Sequence, residues 1–302
     1  MEKGEGVYAV VVTFNPCVDQ FGNLLAALGP QVQSIIVVDN GSANGVLADL
    51  NRLCDLPAID LIRLGANKGI AFAQNVGIQA ARRAGAKYVV LFDHDSCPAP
   101  DMVFQLRAVA EAKAALGIKV GGVGARYFDD RQDNPPPFIQ VVGLKVERQP
   151  CQCDGSVVAV DYLIASGCLI PLNTLDAVGE MNEELFIDYV DIEWGLRAKA
   201  NGFLSFGVCA AKMAHDLGDE PIVFLGKSYP AHSPLRHYYH FRNAVWMYRQ
   251  SWLPLHWKLA DGWRLILKYG FYSLLAHPRS MHWRMMTKGI AHGLRGKMGR
   301  LV

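Results

Sequence analysis

The run KYVVLFDHD, residues 87–95, decides how this chain is read. Its apolar, largely β-branched and aromatic stretch fits a strand, and its abrupt change to Asp93-His94-Asp95 puts polar groups where that strand ends. Working outward toward the N-terminus, residues 59–64, 34–39 and 8–13 are similar runs, each set apart by a segment of helix length, the clearest being residues 70–83. Strands alternating with helices over the first hundred residues predict an α/β fold, a Rossmann-type parallel sheet with helices on both faces. Ligands of such sheets gather beyond the carboxyl ends of the strands. Three polar clusters stand there: Thr13-Phe14-Asn15, Asp39-Asn40-Gly41-Ser42 and Asp93-His94-Asp95.

Beyond this half the pattern changes. Residues 117–166 read as strands and loops, and the turn-rich stretch 129–137, with three consecutive prolines, is expected to run exposed. A helix resumes over residues 191–201 and stops at Gly202, with Glu193 and Arg197 spaced i,i+4. The division expected is a catalytic unit over residues 1–234, made of a nucleotide-binding half (1–100) and an acceptor half (101–234), followed by a helical tail over 235–302.

Composition bounds the rest. The 302 residues are 51% apolar and 19% charged, which excludes a disordered chain, and no charge-free apolar run is long enough for a membrane span. Seven cysteines without CxxC spacing argue for reduced thiols rather than a disulfide framework or a zinc knuckle. The N-terminus shows no signal-peptide pattern, so a cytoplasmic protein is expected. A net charge of +2 conceals a division: residues 235–302 hold 12 Lys and Arg against one acid, Asp261, a net +11, while the preceding 234 residues hold 18 against 27, a net −9. Five of the six tryptophans lie in that basic tail. Cations mixed with amphipathic rings suit a headgroup boundary, so peripheral attachment to the inner face of the cell membrane is expected. The alternative is a helical pair that docks on the catalytic unit or on a second copy in a homo-oligomer. No nucleic-acid-binding signature accompanies the charge.

The candidate residues each admit two readings. In extended backbone Asp93 and Asp95 face one side, two hard oxygen ligands suited to Mg²⁺ or Mn²⁺ with a diphosphate; otherwise they form a solvated turn, with Ser96 opening the next helix. Asp39 suits either the imide N–H of a pyrimidine or an Asx turn. The Asn67-Lys68-Gly69 turn offers backbone donors and a cation to anionic oxygen ahead of a helix. Asn75 sits inside that helix, where a polar duty toward the sheet edge competes with simple exposure. Asp191 at a helix entrance is either a general base or a first-turn residue with Asp188 as cap. His215 is either a third metal ligand or structural.

Taken in order, VVVTFNP, VVDNGS, NKGIAFAQNVGI, VLFDHDSCP, FIDYVDIEWGLRAKANGF and HDLGD resemble the inverting family two glycosyltransferases, and most of all their bacterial rhamnosyltransferase branch, over roughly residues 7–250. That resemblance implies a GT-A fold and transfer of a sugar, L-rhamnose from dTDP-L-rhamnose, to a saccharide or lipid-linked acceptor in cell-surface polysaccharide synthesis. It implies that Asp39 contacts the base; Thr13 and Asn15 at a strand end, Asn67 and Lys68 in the turn, and Asn75 in the helix after it are expected to complete the nucleotide site. Asp93 and Asp95 then take ribose, metal and diphosphate, His215 completes the metal shell, and Asp191 is the catalytic base. The chain reads FDHDS where rhamnosyltransferases often read FDQDS, which leaves both carboxylates. Many relatives carry an acidic pair where this chain has Val190-Asp191. The alternatives are a transferase of another UDP or dTDP sugar and a non-catalytic nucleotide-sugar module; a dinucleotide oxidoreductase lacks its GxGxxG fingerprint here.

Overall fold

The computed structural model describes residues 4–128, 138–215, 219–224 and 227–301, with only the backbone given at residue 215 and over 219–224 and 227–231. Strand and helix alternate as β1 (Val7–Thr13), α1 (Val18–Leu28), β2 (Ser34–Asp39), α2 (Asn44–Cys54), β3 (Ile59–Arg63), α3 (Ile70–Arg83) and β4 (Tyr88–Asp93). The four strands pair in parallel in the order β3-β2-β1-β4. Every residue of β1 is buried, because the two-residue period sends its side chains into separate cores. Val7, Ala9 and Val11 meet Phe21, Leu24 and Leu28 of α1, whereas Tyr8, Val10 and Val12 join the core on the α3 side with Ala73 and Ile78. A Cβ on Gly77 would lie 2.2 Å from Val10 Cγ1, so only glycine lets α3 sit this close to the sheet.

The second half extends the same sheet. It comprises β5 (Ser96–Pro98), α4 (Met102–Ala115), β6 (Val120–Phe128), the hairpin β7 (Phe138–Val142) and β8 (Lys145–Gln149), β9 (Val157–Val160), β10 (Cys168–Pro171) and α5 (Leu172–Val178). There follow a 3-10 turn (Glu183–Leu185), α6 (Val190–Ala200), β11 (Leu204–His215) and the pair β12 (Asp219–Phe224) and β13 (Lys227–Ala231). From β4 the main sheet continues through β10, β6 and β11 to β5, and β9 also pairs with β11. The antiparallel β10 separates the parallel half from the rest. Ser96 lies in β5 rather than opening a helix, because it pairs with His215 at the end of β11. The proline stretch 129–137 lies outside the described residues.

Three helices close the chain: α7 (Pro234–Tyr248), α8 (Leu255–Leu275) and α9 (Arg279–Arg295). Helix α7 starts on a local signal, Ser233 accepting the Arg236 amide at 3.2 Å with Pro234 in the first turn. Phe241, Ala244 and Met247 of α7 form one apolar core with Tyr189, Leu196, Trp257 and Met286. The expectation of uniformly reduced thiols is corrected: Cys151 and Cys209 form a disulfide, with Cα atoms 5.7 Å apart. Pairing of β9 with β11 folds the segment after β8 against Cys209, whose amide donates to Ser156 O at 3.1 Å, a proximity that spacing in the chain does not reveal.

Candidate active site

The carboxyl ends of β1 and β4 open onto a cleft of about 590 Å³ that segment 186–192 and α7 close from the other side. Of the residues expected from the sequence, Thr13, Asn67, Asp93, Asp95 and Asp191 line it. Asp93 and Asp95 reach it by a route other than the one expected. His94 and Asp95 form a turn between β4 and β5 rather than a continuing strand, and the turn rather than the pleat brings the second carboxylate round.

Asn15 and Asp39 do not line the cleft but order the loops that follow β1 and β2 beside it. Asn15 donates its amide to Ser42 Oγ at 2.8 Å and accepts the Ala43 amide on Oδ1 at 2.8 Å, joining the ends of β1 and β2. Asp39 is buried and accepts the Ser42 amide on both carboxylate oxygens at 3.2 Å, an Asx-type turn. Asn40, not singled out from the sequence beyond its turn-forming role, lines the cleft and fixes the next loop by accepting the Lys68 amide at 2.8 Å. Lys68 itself does not line the cleft; its amide serves to hold the loop against Asn40.

Asn75 stands elsewhere. Its Nδ2 donates to Met181 O and to Glu183 Oε1, both at 2.9 Å, and its Oδ1 accepts the Met181 amide, so its polar atoms tie α3 to the segment before the 3-10 turn. Its neighbour Gln74 does line the cleft, as does Ile70 at the start of α3. Among the described residues, the buried Thr13 Oγ1 and Gln74 Oε1 have no hydrogen-bond partner. Buried polar atoms are ordinarily satisfied, so two orphans on one wall mark a surface shaped for a polar ligand. The side chain of His215 lies outside the described residues; its backbone ends β11, paired with Ser96.

Three acids near the second-half wall are told apart by their partners. Glu193 is buried in a two-pronged ion pair with Arg197, at 2.8 and 3.0 Å, and is fully engaged. Asp188 meets Arg236 at 3.2 Å. It does not cap α6, since Tyr189 occupies the cap position in left-handed conformation without a side-chain cap bond. Asp191 faces the cleft and accepts the adjoining Ile192 amide at 2.9 Å. Burial pushes its carboxyl up to about 6, and the charges of Asp188 and Asp93 add to the rise. A carboxyl so tuned is ionised at neutral pH yet basic enough to take a proton.

The segment that aims Asp191 is strained. Phe186, Asp188 and Tyr189 have φ of 65°, 63° and 65°, and none is glycine. Such conformations cost roughly 1–3 kcal/mol each and persist only where surroundings impose them. Helix α7 imposes them. The buried Asn243 donates Nδ2 to the carbonyls of Leu185, Ile187 and Asp188 at 3.0, 2.8 and 2.8 Å, and the buried Arg242 donates to those of Glu184 and Leu185 at 3.1 and 2.8 Å. From the α3 side the Ile70 amide donates to Phe186 O at 2.7 Å. Sequence reading missed Arg242 and Asn243 and the wall of His232, Arg236 and His240, which has no motif of its own.

Comparison with known proteins identifies the family and the fold. The profile of Glycosyl transferase family 2 matches residues 8–158. The chain is 34% identical over 250 residues to the dTDP-rhamnosyl transferase RfbF of Shigella flexneri, an alignment covering 82% of each protein. Among solved structures it superposes on GalNAc-T7 with UDP, GalNAc and Mn²⁺ at a TM-score of 0.62 and 11% identity, covering 96% of this chain and 56% of that one. It superposes on residues 1–349 of S. aureus TarS at 0.56 and 16%, covering 95% and 80%. At such identities these neighbours speak for the GT-A fold alone. Sequence, fold and cleft thus lead to one conclusion: the chain is a glycosyltransferase and belongs to glycosyl transferase family 2.

Proposed function

We propose that the enzyme transfers L-rhamnose from dTDP-L-rhamnose, with inversion, to a hydroxyl of a saccharide or lipid-linked acceptor at the inner face of the cell membrane. The observation that carries the reading is the meeting of Asp93, Asp95 and Asp191 in one cleft with the unsatisfied Thr13 and Gln74. The donor is taken from the 34% identical relative named for that activity.

Asp191 accepts the proton of the acceptor hydroxyl while its oxygen bonds to the anomeric carbon. The bond from that carbon to the diphosphate oxygen breaks, and its electron pair leaves with the nucleoside diphosphate. A general base of this kind contributes about 10²–10⁴ in rate. Thr13, Asn67 and the turn ordered by Asn15, Asp39 and Lys68 hold the nucleotide. Asp39 keeps lone pairs beyond those used by the Ser42 amide and takes the imide N–H of the base. The paired carboxylates of Asp93 and Asp95 are a hard-oxygen donor set that fits Mg²⁺ or Mn²⁺, and His215 is the third ligand in this reading. Such an ion, when bound, neutralises charge that grows on the departing diphosphate.

A donor panel tests the proposal. Release of dTDP from dTDP-L-rhamnose in the presence of acceptor, abolished by EDTA and restored by Mg²⁺ or Mn²⁺, is the expected result. Turnover confined to a different nucleotide sugar would replace rhamnose, and no turnover across the panel would favour a binding module.

A further inference from the structure

Helix α8 is apolar on two opposite faces. Trp257, Leu265 and Tyr272 point inward and are buried in the core shared with α7. On the other side Leu255, Leu259, Trp263, Ile266, Leu267 and Leu274 are each between 54% and 69% exposed. At about 100° per residue these six fall within an arc of about 120°, centred roughly opposite the buried three. A helix lying on a globular protein ordinarily turns charged and polar side chains to water there. Six large apolar groups in one stripe form a patch of the kind that marks an interaction site.

Charge identifies the partner. Arg264 of α8 and Arg279, Arg284 and Lys288 of α9 are exposed. The one acid of residues 235–302, Asp261, turns inward and accepts the hydroxyls of Tyr189 and Tyr248 at 2.9 and 2.6 Å. The helices therefore present apolar groups and cations with no exposed acid among the described residues. A second copy would bring the same cations face to face with their equivalents across a twofold interface. An anionic lipid leaflet opposes them with the complementary sign and accepts the apolar stripe at its acyl boundary. No described helix is long and apolar enough to cross a membrane.

We propose that the outward face of α8, from Leu255 to Leu274, is a membrane-docking surface that seats in an anionic leaflet parallel to its plane, with Trp263 at its centre and the cations of α8 and α9 on the headgroups. The inference gives a structural basis to the membrane-side part of the proposed function and rests on that reading only for the acceptor it brings within reach.

Co-sedimentation of the full chain with vesicles tests it. Wild type is expected to bind vesicles containing phosphatidylglycerol, to bind pure phosphatidylcholine much less, and to lose affinity as salt rises. The triple variant Leu259→Glu, Trp263→Glu, Ile266→Glu is expected to lose at least about 100-fold in partitioning. Arg284→Glu with Lys288→Glu is expected to lose about 10-fold or more. Transfer to a water-soluble acceptor without vesicles is unchanged in these variants. Brominated lipids should quench the tryptophan fluorescence of bound wild type, and Trp263→Phe should remove most of that quenching, a readout that keeps the fold intact. Wild type that ignores anionic vesicles, a triple variant that binds as well as wild type, or sedimentation velocity showing a dimer that the triple variant dissolves would overturn the proposal. Absence of glycosyl transfer with vesicle binding intact would instead overturn the proposed function alone.

Discussion

The two walls of the cleft are built by different physics. On the β1–β4 side, strands whose residues are nearly all buried carry Thr13 and Asp93 at their ends, and the sheet alone fixes where those residues point. On the other side, Asp191 follows a segment with three non-glycine residues at positive φ, held by side chains from a helix more than 50 residues further along the chain. The first wall is local periodicity made solid. The second is a strained conformation maintained by buried long-range hydrogen bonds, so damage to it should spare the fold and strike the chemistry.

Breaking the rigid wall is expected to have the largest effect. Asp93→Asn with Asp95→Asn removes both carboxylates of the proposed metal site, and kcat should fall by about 10³-fold or more, measured as nucleoside diphosphate release. Retention of metal-stimulated turnover would show that the ion is held elsewhere.

The junction between the walls comes next. Gly69 has φ +94°, and a Cβ there would lie 2.7 Å from Phe186 O and 2.9 Å from its Cα. Gly69→Ala combines a disfavoured backbone angle with a backbone clash and should destabilise by about 3 kcal/mol, read by chemical denaturation. A variant as stable as wild type would mean that α3 and segment 186–189 are less tightly apposed than their contacts indicate.

Loosening the strained wall alone should be gentler. Asn243→Ala leaves the carbonyls of Leu185, Ile187 and Asp188 without their shared donor. A rate loss of about 10-fold with donor affinity kept is expected, because misaiming a base by a fraction of an ångström costs turnover rather than binding. Faster hydrogen exchange at residues 184–191 should accompany it. A fall in donor affinity at constant kcat would contradict this division of labour.

The same contrast explains what could be read from the sequence. Strands β2 and β4 and helix α3 lie at the residues expected, and β1 and β3 differ by one residue at an end, because an apolar run buried on both faces announces itself. Asp93 and Asp95 were found as a pair, though a turn, not an extended strand, unites them. Asn75 shows the converse. A polar residue inside a helix signalled a polar duty, but its partners are Met181 and Glu183, more than 100 residues away, and nothing local distinguishes such a tie from a ligand contact. Arg242 and Asn243 were invisible for the same reason, since a side chain that donates to distant carbonyls leaves no periodicity. The partnership of Cys151 and Cys209 depended likewise on strand pairing that spacing does not encode.

The pH dependence of kcat for wild type and Asp191→Asn, at saturating donor and metal, tests the central claim most directly. Because the Asp191 carboxyl is raised to about 6 and must be ionised to take a proton, the wild-type rate should climb as pH rises through that region and level off above it. The Asn variant should bind donor normally, run about 10²–10⁴-fold slower on the plateau and lack the acidic limb. A variant that turns over at the wild-type rate with the same limb would show that another group takes the proton.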